Sequence, residues 1–364
     1  MIFYIFIIIV SLLLFNIAQI NYKKNIFFIL PYTAFILLLS ILGGVRDDTV
    51  GIDMLVYGVI SFENAKYSDT LLGLLKYVPG EWGFHTLMWL CAKISNDIHF
   101  MLFVEEFIKI ILVSSTALHF KNKFNPTMFM FAYLTFFYFI GYSSMRQMLA
   151  ISIFIYGLRF YFNNEHKKYI FTCLLAMTFH TSAIFALLIY VIRFIHGKSF
   201  KSTIIIHLAI VLFVYLFSFT IMEYILSGNF GLYSEKADLY MEKEGVETAK
   251  TNILLAIMFF IISLFYKFWK KDKPDYIIFS VLLVYNLFFL LMSTRFEVAF
   301  RISWYQIPFI LILYFTYVRF YKNGGRSIMN FLFILLFSLH FIISSIHGLD
   351  GTIPYTSKIL GINV

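Results

Sequence analysis

Long apolar runs separated by short polar stretches set the character of this chain. The runs are Ile2–Ile20, Ile26–Leu42, His99–Leu118, Thr127–Tyr142, Gln147–Tyr161, Ile204–Ile225, Ile253–Phe268, Tyr276–Met292, Ile302–Tyr317 and Ile328–Ile346. Many approach or exceed the roughly 18 residues that cross a bilayer. They predict an all-α polytopic membrane protein of about ten transmembrane helices, in a single integral membrane domain spanning residues 1–364. One further stretch, Tyr169–Ile195, is apolar but carries basic residues at both ends. At 1.5 Å of rise per residue, about 27 residues cannot make two full perpendicular crossings. The pattern therefore predicts a re-entrant or broken hairpin near 169–195, with His180-Thr181-Ser182 at its tip; one long tilted helix is the alternative.

Two segments between the runs differ from simple connections. Val45–Gly83 carries RDDTVGID, an amphipathic stretch around Met54–Phe62, and PGEWGF. Gly83–Lys93 is short and rather polar for a crossing, and Trp82 and Trp89 suit the headgroup region. An outer-face amphipathic segment near 50–95 is the expectation. Ser227–Lys250 is net acidic and reads as a second outer loop. Residues 45–97 and 227–250 are candidate lids over a substrate site.

Composition agrees with the pattern. Of 364 residues, 61% are hydrophobic and only 13% charged, with mean hydropathy +0.83. A soluble domain carries about twice that share of charge. The net charge of +9 could point to an acidic partner, but its placement argues otherwise. Basic clusters at Lys23-Lys24, Lys121/Lys123, Arg159/Lys167/Lys168, Arg193/Lys198/Lys201, Lys267–Lys273 and Arg319/Lys322/Arg326 alternate with acidic or mixed loops. Those clusters hold 17 of the 29 basic residues and three of the 20 acids. This is the positive-inside pattern, with both termini outward, and it leaves no call for nucleic acid as a partner. Cys91 and Cys173 have no paired or metal-like spacing, so neither a disulfide nor a metal is expected.

With the topological lysines set aside, few polar residues remain for chemistry. Arg46, Arg146, Arg295 and Arg301 run against the charge bias on the outer side. The planar guanidinium suits bidentate phosphate binding. Each could instead pair locally, Arg46 with Asp47 or Asp48 and Arg301 with Glu297; Arg146 has no acid within a turn. Asp47, Asp48, Asp53, Glu81, Glu297 and His180 are candidates for acid–base work, with no decisive spacing among them. Packing within the bundle is the plainer account of His180. Glu105 and Lys109, at i and i+4, are expected to neutralise each other inside the bundle. Signatures of nucleotide-driven transport, zinc hydrolysis and serine hydrolysis are missing, and no cofactor is called for.

Four motifs, in order, carry a family resemblance: GVRDDTVGIDMLVYG, with Ile52 where Thr is usual; EWGF at Glu81–Phe84; SSMRQMLAISIFIYGLRFY; and LLAMTFHTSAIFALLIYVI. Together they resemble the EpsG-like family, related to the Wzy-type polymerases of bacterial O-antigen, capsule and exopolysaccharide. They cover roughly the first 195 residues; the C-terminal half matches only in its spans and an outer Arg-rich loop. The resemblance implies an enzyme of the bacterial inner membrane with an outward-facing site. It would join undecaprenyl-diphosphate-linked oligosaccharide repeats, moving the glycan from its lipid diphosphate to a sugar hydroxyl. The lipid-linked oligosaccharide and the bilayer are the implied partners, and a chain-length regulator is left open. The residues matching the motifs are Arg46, Gly51, Asp53, Tyr57, Glu81, Arg146, Gln147 and His180. Such chemistry needs charge stabilisation on the diphosphate and a base for the hydroxyl. The expected diphosphate group is Arg46, Arg146, Gln147, Arg295 and Arg301. Asp53, Glu81 and His180 are the expected acid–base residues, and Tyr57 and Glu297 the sugar contacts. A flippase of lipid-linked glycans, a glycan ligase and an acyltransferase are the alternatives.

Overall fold

The structure, a computed structural model, describes residues 1–22, 25–78, 81–195, 197, 199–217, 274–293, 297–319 and 321–364, excepting the side chains of 274–276, 297, 298 and 350. The expected loop 227–250, the run Ile253–Phe268 and the lysines around 267–273 lie outside them. The chain divides into two compact units, one of Met1–Ile184 with Tyr314–Val364, the other of Phe185–Leu313.

The fold is the all-α polytopic membrane protein that the apolar runs predict. In the first unit α1 (Ile2–Ile20) packs on α2 (Ile26–Gly44), and α2 on α6 (Ile98–His119). A stretch expected as one run is α7 (Pro126–Tyr133), then a π-helical turn Leu134–Tyr138 and a 3₁₀ turn Ile140–Tyr142. α8 (Met145–Phe162) follows and packs on α6 and on α9 (His166–Phe179). α1, α2 and the 24-residue α15 (Asn323–Ile346) are long and apolar enough to cross a membrane by themselves. Pro31 inside α2 removes one backbone donor, a loss that spanning helices tolerate when neighbours re-satisfy the freed group.

The segment expected on the outer face is a series of short helices joined by turns: a π-helical turn Met54–Gly58, α3 (Val59–Tyr67), α4 (Leu71–Tyr77) and α5 (Trp82–Ile94). Its elements are short, as the amphipathic pattern requires. Leu55, Val56, Ile60, Leu72, Tyr77 and Trp82 are exposed along it, while Met54, Phe62 and Leu74 are buried. Tyr169–Ile195 is not one long helix. α9 ends at Phe179, His180 is extended (φ −157°, ψ 127°), and a 3₁₀ turn Thr181–Ala183 leads into α10 (Ile184–Ile192). The helix breaks at the residue that carries the only imidazole of the run.

Basic loops gather at one end of this unit. The Lys121 ammonium lies 3.4 Å from the centre of the Tyr22 ring, that of Lys123 lies over Phe162, and the Arg319 guanidinium donates to the Asn122 carbonyl. At the other end both termini meet, with Tyr4 donating to the Thr352 carbonyl at 2.9 Å and Phe3 stacked on Tyr355.

The second unit holds α11 (Phe200–Leu216), α12 (Pro274–Met292) and α13 (Glu297–Ser303). α11 packs on α12 and α12 on α13, with Phe288, Met292 and Ala299 at the core. His207 is fully buried there, its Nε2 bonded to the Ile195 carbonyl and its Nδ1 to the Tyr285 hydroxyl. The expected run Ile302–Tyr317 is interrupted: α13 ends at Ser303 and α14 (Gln306–Val318) begins after Trp304-Tyr305.

Candidate functional site

Three separate elements of the first unit bring Arg146, Glu81 and His180 together. Arg146 is the second residue of α8. Glu81 caps the start of α5 in the left-handed backbone region (φ 43°, ψ 41°). A non-glycine residue there costs free energy, and such positions concentrate at functional sites. His180 is the extended break after α9. Arg146 Nη1 bonds Glu81 Oε2 at 2.5 Å, and His180 Nε2 lies 3.6 Å from the other oxygen, Glu81 Oε1. The Thr181 backbone N–H donates to that same oxygen at 3.4 Å.

Asp53 and Tyr57, at i and i+4 across the π-helical turn, complete the cluster. The Arg146 guanidinium carbon sits 4.0 Å from the Tyr57 ring centre, a cation–π arrangement. The Tyr57 hydroxyl donates to Asp53 Oδ2, which also accepts the Met145 N–H at 3.1 Å. The side chains keep an open edge: Arg146 is 30% exposed, His180 17% and Glu81 13%.

The electrostatics follow from burial. Burial raises the proton affinity of Glu81, with the Arg146 charge pulling against it. His180 Nδ1 accepts from the Ser182 N–H at 3.2 Å and lies 2.6 Å from the Ser182 hydroxyl. With Nδ1 accepting, the ring proton is assigned to Nε2, the nitrogen facing Glu81.

The other expected residues are placed elsewhere. Arg46 is fully buried, and its guanidinium faces neither Asp47 nor Asp48. Nη1 lies 3.8 Å from Glu106 and 2.5 Å from the Gly43 carbonyl, Nη2 donates to Met145 Sδ at 3.3 Å, and the group stacks on the Tyr142 ring. Its counter-charge comes from α6, so it stands apart from the reachable arginine. Gln147, next to Arg146, turns into the core with 1% exposure. Arg301 lies on α13 of the second unit, whereas Arg295 and the Glu297 side chain are outside the described residues. Lys109 contacts both Glu105 at 3.0 Å and Glu106 at 2.6 Å, so the expected helix pair is a triad.

Sequence reasoning gave no part in the site to Ser182, His85 or the C-terminal tail. His85 sits one turn beyond Glu81, is 6% exposed, and has no hydrogen-bond partner for Nδ1 among the described residues. Burial, then the Arg146 charge, push its pKa down to about 4. Its i+4 spacing from Glu81 was the available signal.

The EpsG family model matches residues 29–357, nearly the whole chain. The chain belongs to the EpsG family. It is therefore a polysaccharide-biosynthesis membrane protein of the Wzy-like, polymerase-related kind. The match extends the likeness well past the first 195 residues, through α15 to the C-terminal tail. No curated protein and no solved structure matches the chain significantly.

Proposed function

We propose that this EpsG-family protein polymerises undecaprenyl-diphosphate-linked oligosaccharide repeats on the outer face of the bacterial inner membrane. One observation carries the reading: a partly exposed guanidinium, Arg146, held in a fixed pose by Glu81 and Tyr57 and flanked by His180. A diphosphate presents the charge and oxygens that such a group takes in a bidentate grip. The lipid diphosphate is already a good leaving group, so catalysis needs its growing charge stabilised and a proton taken from the attacking hydroxyl.

The occupied atoms narrow the choice of base. Asp53 Oδ2 already accepts from Tyr57 and Met145. With Nδ1 accepting from Ser182, His180 presents an N–H at Nε2, not a lone pair, towards the cluster. Glu81 is the remaining group. When the diphosphate takes Arg146, Glu81 loses its ion-pair partner while still largely buried, and its proton affinity rises further. The acceptor oxygen then attacks the anomeric carbon as its proton passes to Glu81. The bond from that carbon to the diphosphate breaks, and the electron pair leaves with the phosphate. His180 Nε2–H steadies Glu81 during the transfer.

A flippase would use polar groups along a path to both faces. The mid-span charges Arg46, Glu105, Glu106 and Lys109 are instead sealed and mutually neutralised, which favours the enzyme. An acyltransferase would want a histidine beside an acid, and His180 near Glu81 meets that requirement. Family membership and the exposed arginine favour glycosyl transfer.

Cells carrying Arg146→Ala or His180→Ala in place of the native chain are expected to insert the protein normally and accumulate single repeats on the lipid carrier. Long polysaccharide persisting in both would overturn the site.

A further inference from the structure

The C-terminal tail, residues 348–364, lies across the loop that leads into Asp53. It begins beyond α15 and ends in a two-stranded antiparallel pair, Thr356–Ser357 with Ile362–Asn363. Its bonds to the last turn of α2 and to the loop are dense. The Tyr355 hydroxyl donates to the Leu42 carbonyl at 2.8 Å and the Ser357 hydroxyl to the Val45 carbonyl at 2.5 Å. The Asp47 N–H donates to the Thr356 carbonyl at 3.0 Å, and the Lys358 N–H returns a bond to Asp47 Oδ1 at 2.9 Å. The Gly51 N–H donates to the Gly351 carbonyl at 2.9 Å. Thr352 and Tyr355 are fully buried and Ser357 nearly so.

These bonds continue into the site. The Ile52 N–H donates to Ser143 Oγ at 3.1 Å, and Asp53 takes the N–H of Met145, the residue before Arg146. Gly51 itself is pinned on both sides. Its φ is +97°, and a Cβ there would run into the Tyr142 carbonyl oxygen. The tail, the Gly51 peptide and the lead-in to α8 are thus stacked in direct succession. Two residues past the tail's last bond stands Asp53, and beside it Arg146.

We propose that the tail is a positioning strap of the catalytic site: through Asp47 and Gly51 it fixes Asp53, and through Asp53 the start of α8 that carries Arg146. This rests on the functional reading above. The strap touches no reacting atom, so its effect is on turnover through Asp53. It stays in place during the reaction, because letting go would release the residues it holds.

The experiment measures chain extension by the full-length protein in proteoliposomes supplied with a polyprenyl-diphosphate oligosaccharide. Asp47→Ala is expected to lower turnover about tenfold with donor affinity changed less than twofold; Asp47→Asn, which keeps the accepting oxygen, is expected to restore it. Because the strap works through the accepting oxygen of Asp53, Asp47→Ala should add almost nothing to the loss caused by Asp53→Ala; independent effects would multiply. Multiplying losses, or failure of Asp47→Asn to rescue, would overturn the strap while leaving the site reading intact. An Asp53→Ala protein of native activity would also overturn the strap alone, whereas a folded Arg146→Ala protein of native activity would overturn both. A separate arm covers the event that Asp47→Ala does not fold. Thr49 and Thr356, whose hydroxyls lie 3.4 Å apart, are both replaced by cysteine and oxidised. The tethered protein should extend chains as well as its reduced form; activity lost on oxidation and regained on reduction would show that the tail must leave, contrary to the proposal.

Discussion

Met145 separates two groups of charges built in opposite ways. Its N–H bonds Asp53 of the candidate site, while its sulfur accepts from Arg46 of the buried group. On one side, Arg146, Glu81 and His180 keep 30%, 13% and 17% of their side-chain surface open. On the other, Arg46, Glu105 and Glu106 have none open and Lys109 only 1%. The buried group is electrically balanced, with two acids and two bases, as hydrocarbon surroundings demand. A Cβ at Gly43 would strike the Glu106 side chain, so α2 closes over it without room for a ligand. The open group has a guanidinium at its edge that can exchange partners. A charge inside a membrane protein therefore does not identify a substrate site by itself; reach and replaceable partners do.

That difference can be broken first from the buried side. Glu106→Ala leaves Lys109 and Arg46 short of a counter-charge. Removing one partner of a buried pair typically costs about 3–5 kcal/mol. The expected outcome is a large fall in thermal stability in detergent, with extension lost only in proportion to folded protein. A stable, inactive Glu106→Ala protein would mean that the buried group takes part in the reaction.

A smaller effect sharpens the open side. Burial holds Glu81 above the ordinary glutamate pKa of about 4.3. A base must be ionised, so extension should be full well above that raised value and fall as pH drops through it. The acid limb of the pH profile is then displaced upward from the usual carboxylate position. A profile flat down to the ordinary glutamate range would remove Glu81 from the role of base.

Much of this was legible in the chain. The apolar runs marked the helices because only long apolar segments can sit in hydrocarbon, and the basic loops do gather at one end of the first unit. Arg146 stood out for lacking an acid within a turn, and the acid it finds, Glu81, lies 65 residues away. The break at His180 was signalled by a polar triplet in an apolar run. Arg46 was not legible. Its neighbours Asp47 and Asp48 offered a local pairing, but Asp47 is taken by the tail and the arginine turns inward to α6. Nor was the tail, whose strands are two residues long and too short for any periodicity. The interruption at Trp304-Tyr305 was marked by Ser303, Gln306 and Pro308, the proline suiting the first turn of a new helix, but the long apolar run that follows outweighed them.

The most direct test of the account is made on purified protein in proteoliposomes with a polyprenyl-diphosphate-linked repeat, following released polyprenyl diphosphate and glycan length together. The account predicts that the two rise in step for the native protein and that both fall about 100- to 1,000-fold in Arg146→Ala, the usual scale for losing a charge-stabilising donor. Extension at the native rate by a folded Arg146→Ala protein would contradict it.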